Sequence, residues 1–294
     1  MTNEELLKTK KGFIAALDQS GGSSARTLRN YGINENEYNT EEEMFDLIHK
    51  MRSRIIANDV FNSDKIIGVI LFKKTMNGTI NGENTVSYLK KKGIVSFLKI
   101  DVGLEEKEDG VQMLKDIPNL EQILDDAKEK GIVGTKMRSV LHDYNEYGIK
   151  NAIRQQFNLA KIIIEHGLIP IIEPEVSIDS PQKRQIEHFM EKVIKEELGK
   201  LTKDQKVIFK FTLPSENNFY DSLLRNPSVL RIVALSGGYK REEACGILKR
   251  NKKMIASFSR ALLEGLNVNQ SEEEFTETLN NSINMIYDAS VKKD

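Results

Sequence analysis

Val207-Ile208-Phe209-Lys210-Phe211-Thr212-Leu213 is an apolar run with one lysine at its centre. Side chains alternate across an extended strand, so residues two apart share a face. Val207, Phe209, Phe211 and Leu213 form a wholly apolar face, and Ile208, Lys210 and Thr212 form the other. Near-continuous apolar character marks a strand covered on both sides, as in a parallel sheet flanked by helices. Lys210 therefore points into an interior, where a charge is costly unless something pairs with it.

Seven further runs share this character: Phe13–Leu17, Ile66–Phe72, Val95–Ile100, Ile132–Met137, Leu168–Ile172, Val229–Leu235 and Met254–Phe258. Short apolar runs bounded by turn residues read as buried parallel strands. Longer segments of helical period separate them. Met44, Leu47, Ile48, Met51 and Ile55 make one apolar stripe, and Ile186, Phe189, Met190, Val193 and Ile194 make another. Thr40 with Glu43, and Ser271 with Glu274, have the spacing of capping boxes. Ser180 reads as an N-cap with Pro181 at the first helical position. Eight strands alternating with helices, with no Pro/Ser-rich linker, imply a single (β/α)8 TIM-barrel domain over residues 1–294. A doubly wound open sheet is the competitor, but it calls for a G-x-G-x-x-G turn after the first strand. The residues there are Asp18-Gln19-Ser20-Gly21-Gly22-Ser23.

Composition narrows the function. With 43 basic and 44 acidic side chains the net charge is −1, which argues against general affinity for nucleic acid. One cysteine, Cys245, cannot form an internal disulfide and fits a reducing cytoplasm. The first eleven residues are polar and no apolar stretch approaches 18 residues, so neither a secretory signal nor a membrane span is expected. The four histidines, His49, His142, His166 and His188, show no helical metal-ligand spacing, so no metal or other cofactor is expected.

The runs acquire charge at their C-terminal ends, where barrels carry their chemistry. Asp18 ends the first run; Lys99 and Asp101, Lys136 and Arg138, and Glu173 and Glu175 end the third, fourth and fifth; Lys210 lies in the sixth. Within each pair the two-residue spacing puts both side chains on one face. Clustered buried ions contribute little to stability, so such a mouth points to function. A lysine deprotonated by desolvation or by a neighbouring ammonium attacks carbonyls and forms imines. Lys136 is the candidate neighbour, Glu173 and Glu175 are candidate proton carriers, and Asp18 is a further base. Ser236-Gly237-Gly238 follows the seventh run; Ser257 lies near the end of the eighth, and Arg260 follows it. Exposed backbone N–H groups with an arginine there form a phosphate site. Together these residues describe a metal-free barrel enzyme that uses a lysine imine on a phosphorylated carbonyl compound.

Motifs in order along nearly the whole chain carry a resemblance: Ala15-Ala16-Leu17-Asp18-Gln19-Ser20, Leu98-Lys99-Ile100-Asp101, Thr135-Lys136-Met137-Arg138, Pro170-Ile171-Ile172-Glu173-Pro174-Glu175, Phe209-Lys210, Leu235-Ser236-Gly237-Gly238 and Ser257-Phe258-Ser259-Arg260-Ala261-Leu262. The chain resembles class I (Schiff-base) fructose-1,6-bisphosphate aldolases in their shorter bacterial form. The resemblance implies reversible cleavage of fructose 1,6-bisphosphate to dihydroxyacetone phosphate and glyceraldehyde 3-phosphate, in glycolysis or gluconeogenesis. It implies that Lys210 forms the imine, Glu173 handles protons during imine formation, and Lys136 assists as a charged neighbour. Asp18 takes the C4 hydroxyl proton, with Glu175 orienting the others. Ser236, Gly237, Gly238, Ser257 and Arg260 hold one phosphate, and Lys99 and Arg138 bind the rest of the substrate. The partners implied are sugar phosphates, with an oligomer also compatible. A related lysine aldolase or transaldolase for another sugar phosphate is the alternative.

Three departures stand out. Gln19 occupies a position where animal-type members carry glutamate. Ser259 replaces a glycine beside Arg260. The chain lacks the terminal tyrosine of animal members, and Tyr287 is expected to dock within the last helix.

Overall fold

The computed structural model describes residues 2–294. Each apolar run becomes a strand: β1 Phe13–Leu17, β2 Ile66–Leu71, β3 Val95–Lys99, β4 Gly134–Leu141, β5 Ile169–Val176, β6 Val207–Thr212, β7 Val229–Leu235 and β8 Met254–Ala256. Each pairs in parallel with the next in chain order, giving a nearly closed (β/α)8 barrel. The seam between β8 and β1 carries one backbone bond among the described residues, Ala16 N–H donating to the Phe258 carbonyl at 3.2 Å. β4 and β5 run further than the apolar pattern suggested, so Arg138, Glu173 and Glu175 lie within strands. Their inward charges alternate with outward apolar residues, which a continuous-run rule cuts short.

The helices are α1 Asn3–Thr9, α2 Gly22–Tyr31, α3 Glu41–Ala57, α4 Lys73–Asn77, α5 Thr85–Lys91, α6 Leu120–Glu129, α7 Glu146–Glu165, α8 Lys183–Leu198, α9 Arg241–Lys249, α10 Arg260–Leu263 and α11 Glu272–Val291. Between β6 and β7 a 3₁₀ helix, Phe219–Arg225, replaces the expected α-helix. Ser271 and Glu274 form a complete capping box. At Thr40 only half of one forms, because the Glu43 carboxylate accepts from Asn39 N–H at 2.6 Å instead. α8 begins two residues later than Pro181 suggested. The Ser180 hydroxyl instead accepts from Gln182 N–H at 3.3 Å in a turn before the helix. Tyr287 is half-buried against the core, as expected.

Two apolar layers hold the barrel. Outward strand residues pack under the helices: Phe209 and Phe211 stack at 5.2 Å, and Phe211 stacks on Tyr220 at 4.1 Å. Inward residues fill a smaller cluster including Ile14, Ala16, Phe97, Ile171, Ile208 and Ile255, which Leu7 of α1 joins. Burying each large aliphatic or aromatic side chain contributes about 1.5–3 kcal/mol. Gly134 makes room for Phe97, since a Cβ there would lie 2.8 Å from that ring and 2.1 Å from the Ile169 carbonyl oxygen. This inner layer is the floor of the site. Continuing each strand by two residues changes Ala16 to Asp18, Phe97 to Lys99, Ile171 to Glu173, and Ile208 to Lys210. The strand period that packs the floor therefore aims the charges above it. Among the described residues no helix is long and apolar enough to cross a membrane.

Candidate active site

Lys136 is the hub of the mouth. Its Nζ lies 2.7 Å from Asp18 Oδ2, 3.2 Å from Glu173 Oε2 and 3.8 Å from Asp101 Oδ2. Burial alone would lower its pKa, but Asp18, Glu173 and Asp101 outweigh this and hold it above the usual lysine range. The reciprocal holds for Asp18. Burial would raise it, yet Lys136, then Lys210 and Lys99, keep its carboxyl well below the usual carboxylate range. Both groups therefore stay charged at neutral pH in a nearly dry setting.

Lys210 Nζ is 3.4 Å from Glu173 Oε1. Glu173 thus spans the two lysines, one oxygen to each. Its strand is fixed from outside by Gln156 of α7, whose Oε1 accepts from Glu173 N–H at 2.9 Å while its Nε2 donates to Ser139 Oγ at 2.7 Å. One buried amide thereby ties β5 to β4. Thr212 does similar service between β6 and β5, donating to the Val176 carbonyl at 2.7 Å and accepting from its N–H at 2.9 Å. Lys99 pairs with Asp101 at 2.6 Å, and Arg138 with Glu175 at 2.9 Å. Burial lowers Lys99. For Arg138, burial is outweighed by Glu175 and Glu173, which raise it.

These groups line one cavity of about 730 Å³. It holds every residue singled out from the sequence except Gly238, which borders it: a Cβ on Gly238 would come within 3.9 Å of the Arg260 guanidinium. Gly237 and Gly238 have φ of 65° and 122°, a backbone open to glycine and strained for other residues. Arg260 has no carboxylate within ion-pair distance among the described residues. Burial, then Arg26 and Arg138, lower its pKa. Cations crowded in this way favour an incoming anion.

The matched residues then identify the family. Residues 1–219 match the sequence profile of the fructose-bisphosphate aldolase class-I family. The chain belongs to that family. A Plasmodium falciparum fructose-bisphosphate aldolase, solved with TRAP and a small-molecule inhibitor, has a similar fold. Its TM-score is 0.76 at 19% identity, over 99% of this chain and 93% of that one. A Corynebacterium glutamicum protein, Cgl0159, aligns at a TM-score of 0.57 and 11% identity over 98% and 91%.

The opposite rim holds further polar residues that were not singled out from the sequence. Ser20, Ser23, Arg26 and Lys73 line the cavity beyond Asp18. The Ser20–Gly21–Gly22–Ser23 turn, opening α2, is the signal in the sequence for the first three, and Lys73 directly follows the second apolar run; the Ser23 hydroxyl donates to the Ser20 carbonyl at 2.9 Å. Gln156 is legible only as a polar residue on the buried stripe of α7. Among the described residues no His, Cys, Asp and Glu group is placed to hold a metal. The three carboxylates that do converge surround the Lys136 ammonium.

Proposed function

We propose that the chain is a fructose-bisphosphate aldolase that works through an imine on Lys210, in one catalytic barrel domain. The observation that carries this reading is the buried Lys210–Glu173–Lys136–Asp18 chain, with contacts of 3.4, 3.2 and 2.7 Å. Lys210 Nζ attacks the C2 carbonyl of the sugar to give a carbinolamine. Glu173, 3.4 Å from that nitrogen, takes the proton the lysine ammonium must lose before attack and returns it to the carbinol oxygen, which leaves as water and leaves the iminium. Asp18, ionised, takes the C4 hydroxyl proton. The C3–C4 electron pair moves into the iminium and glyceraldehyde 3-phosphate leaves. Protonation of the enamine at C3 and hydrolysis return dihydroxyacetone phosphate and the free lysine. Lys136 stays an ammonium throughout and transfers no proton; its fixed charge holds Asp18 ionised and anchors Glu173. Arg260 with Ser236, Gly237, Gly238 and Ser257 grips one phosphate, and Lys99 and Arg138 hold the remainder.

Borohydride trapping with dihydroxyacetone phosphate, followed by peptide mass mapping, tests the reading. The expected adduct is on Lys210, with cleavage unaffected by EDTA. An adduct on Lys136 or Lys99 would reassign the nucleophile, and no adduct together with EDTA sensitivity would remove the imine altogether. Arg260→Ala tests the phosphate site. Losing a charged hydrogen-bond partner costs roughly 1.5–3 kcal/mol, or about 10–100-fold in KM for the bisphosphate. Unphosphorylated fructose should be little affected; equal losses on both sugars would take Arg260 out of the phosphate site.

A further inference from the structure

Two of the departures noted in the sequence meet in the fold. Gln19 Nε2 donates to Ser259 Oγ at 2.6 Å. Behind Gln19 lies Arg52 of α3, 1% exposed. Its Nη2 donates to the Gln19 carbonyl at 2.5 Å and to Gln19 Oε1 at 3.1 Å, and its Nη1 donates to Thr75 Oγ1 at 2.8 Å. Among the described residues no carboxylate is within ion-pair distance of this guanidinium, and its Nε has no partner. A cation buried without a counter-ion is among the costliest groups a fold can hold, so its retention calls for a reason. Burial lowers Arg52 to about 9, which leaves it charged at neutral pH.

The place of this chain of contacts supplies that reason. It crosses the seam between β1 and β8, where Ala16 N–H to the Phe258 carbonyl is the only backbone bond among the described residues. Gln19 directly follows Asp18, and Ser259 directly precedes Arg260. By occupying Gln19 Oε1, Arg52 fixes which end of the amide faces Ser259. We propose that Arg52, Gln19 and Ser259 are positioning residues that strap the barrel seam and set the grip of Arg260 on phosphate. A glutamate at position 19 would neutralise Arg52. Glutamine keeps the contacts and leaves a buried positive charge behind the phosphate rim, which adds to the attraction for an anion.

The inference rests on the phosphate-site part of the proposed function. Its test reads binding rather than turnover. The Tm of the full chain is measured across a series of inorganic phosphate concentrations, with ionic strength balanced by chloride; binding to the folded state alone raises Tm. Gln19→Ala and Ser259→Ala should each weaken phosphate about tenfold. The double variant should lose no more than either single, because all three break the same bond. Arg52→Met should show the same loss; if it does not fold, the other variants decide. A wild type that phosphate does not stabilise would overturn the strap. So would single variants within about twofold of wild type, or losses that multiply to about a hundredfold. Fructose bisphosphate cleavage is assayed separately. An inactive wild type with coupled phosphate losses would overturn the proposed reaction and leave the strap standing. An active wild type with unchanged phosphate affinity in the variants would do the reverse.

Discussion

Lys210→Met is expected to abolish aldol cleavage while the barrel remains folded. Removing a covalent nucleophile lowers turnover by on the order of 10⁴-fold or more. Methionine matches the lysine stem in length, so it fills the same space between Ile208 and Thr212 without a cavity. The substitution breaks the 3.4 Å pair with Glu173, and Glu173 keeps its 3.2 Å pair with Lys136. Unfolding free energy should therefore change by no more than about 1–2 kcal/mol. The variant is assayed for cleavage, borohydride adduct and Tm together. Near-normal turnover would refute the assignment of the nucleophile. A collapsed Tm would mean that Lys210 is chiefly structural.

Lys136→Met should behave differently, because among the described residues Lys136 is the only cation within ion-pair distance of Asp18. Removing one partner of a buried ion pair costs about 3–5 kcal/mol, since the other charge stays behind. Cleavage should be lost as well, with Asp18 no longer held ionised. The pH dependence separates this from a packing defect. In the wild type Asp18 is depressed below its unfolded value, so its contribution to stability is present above that value and is lost as pH falls through the folded one. Without Lys136, burial acts with less opposition and raises Asp18. The sign then inverts: the folded state holds the proton more tightly, and stability is lost as pH rises. The deficit of the variant should be largest at neutral pH and shrink towards about pH 4–5. A deficit independent of pH would show that methionine simply packs badly there.

Much of this site is legible in the two-residue strand period. The alternation in Val207–Leu213 places Lys210 inward, and the same rule groups Lys99 with Asp101, Lys136 with Arg138, and Glu173 with Glu175. Which group touches which cannot be read this way. Partners across strands depend on register and stagger, properties of the closed barrel rather than of any one strand. Lys136 illustrates the gap. As a neighbour of Lys210 it is expected to tune the nucleophile, yet its shortest ion pair is with Asp18, three strands earlier in the chain. Arg138 lies opposite Glu173 in the β4–β5 ladder, but its ion pair is with Glu175. Gln156 and Arg52 are hidden for another reason. Each is a polar residue on a helix, and only tertiary packing turns it towards a strand end. The family motifs cover what lies on strand ends, and miss the support that reaches them from α3 and α7.

The stacked rings behind β6 have a practical consequence. Phe209 and Phe211 hold that strand from outside, while Ile208, Lys210 and Thr212 face the other way. On the proposed reading, scaffold and reactivity thus occupy alternate letters of one short word. Directed evolution can vary one set and leave the other intact: new aldehyde acceptors can be sought around the mouth, and heat tolerance among the rings, without one search undoing the other.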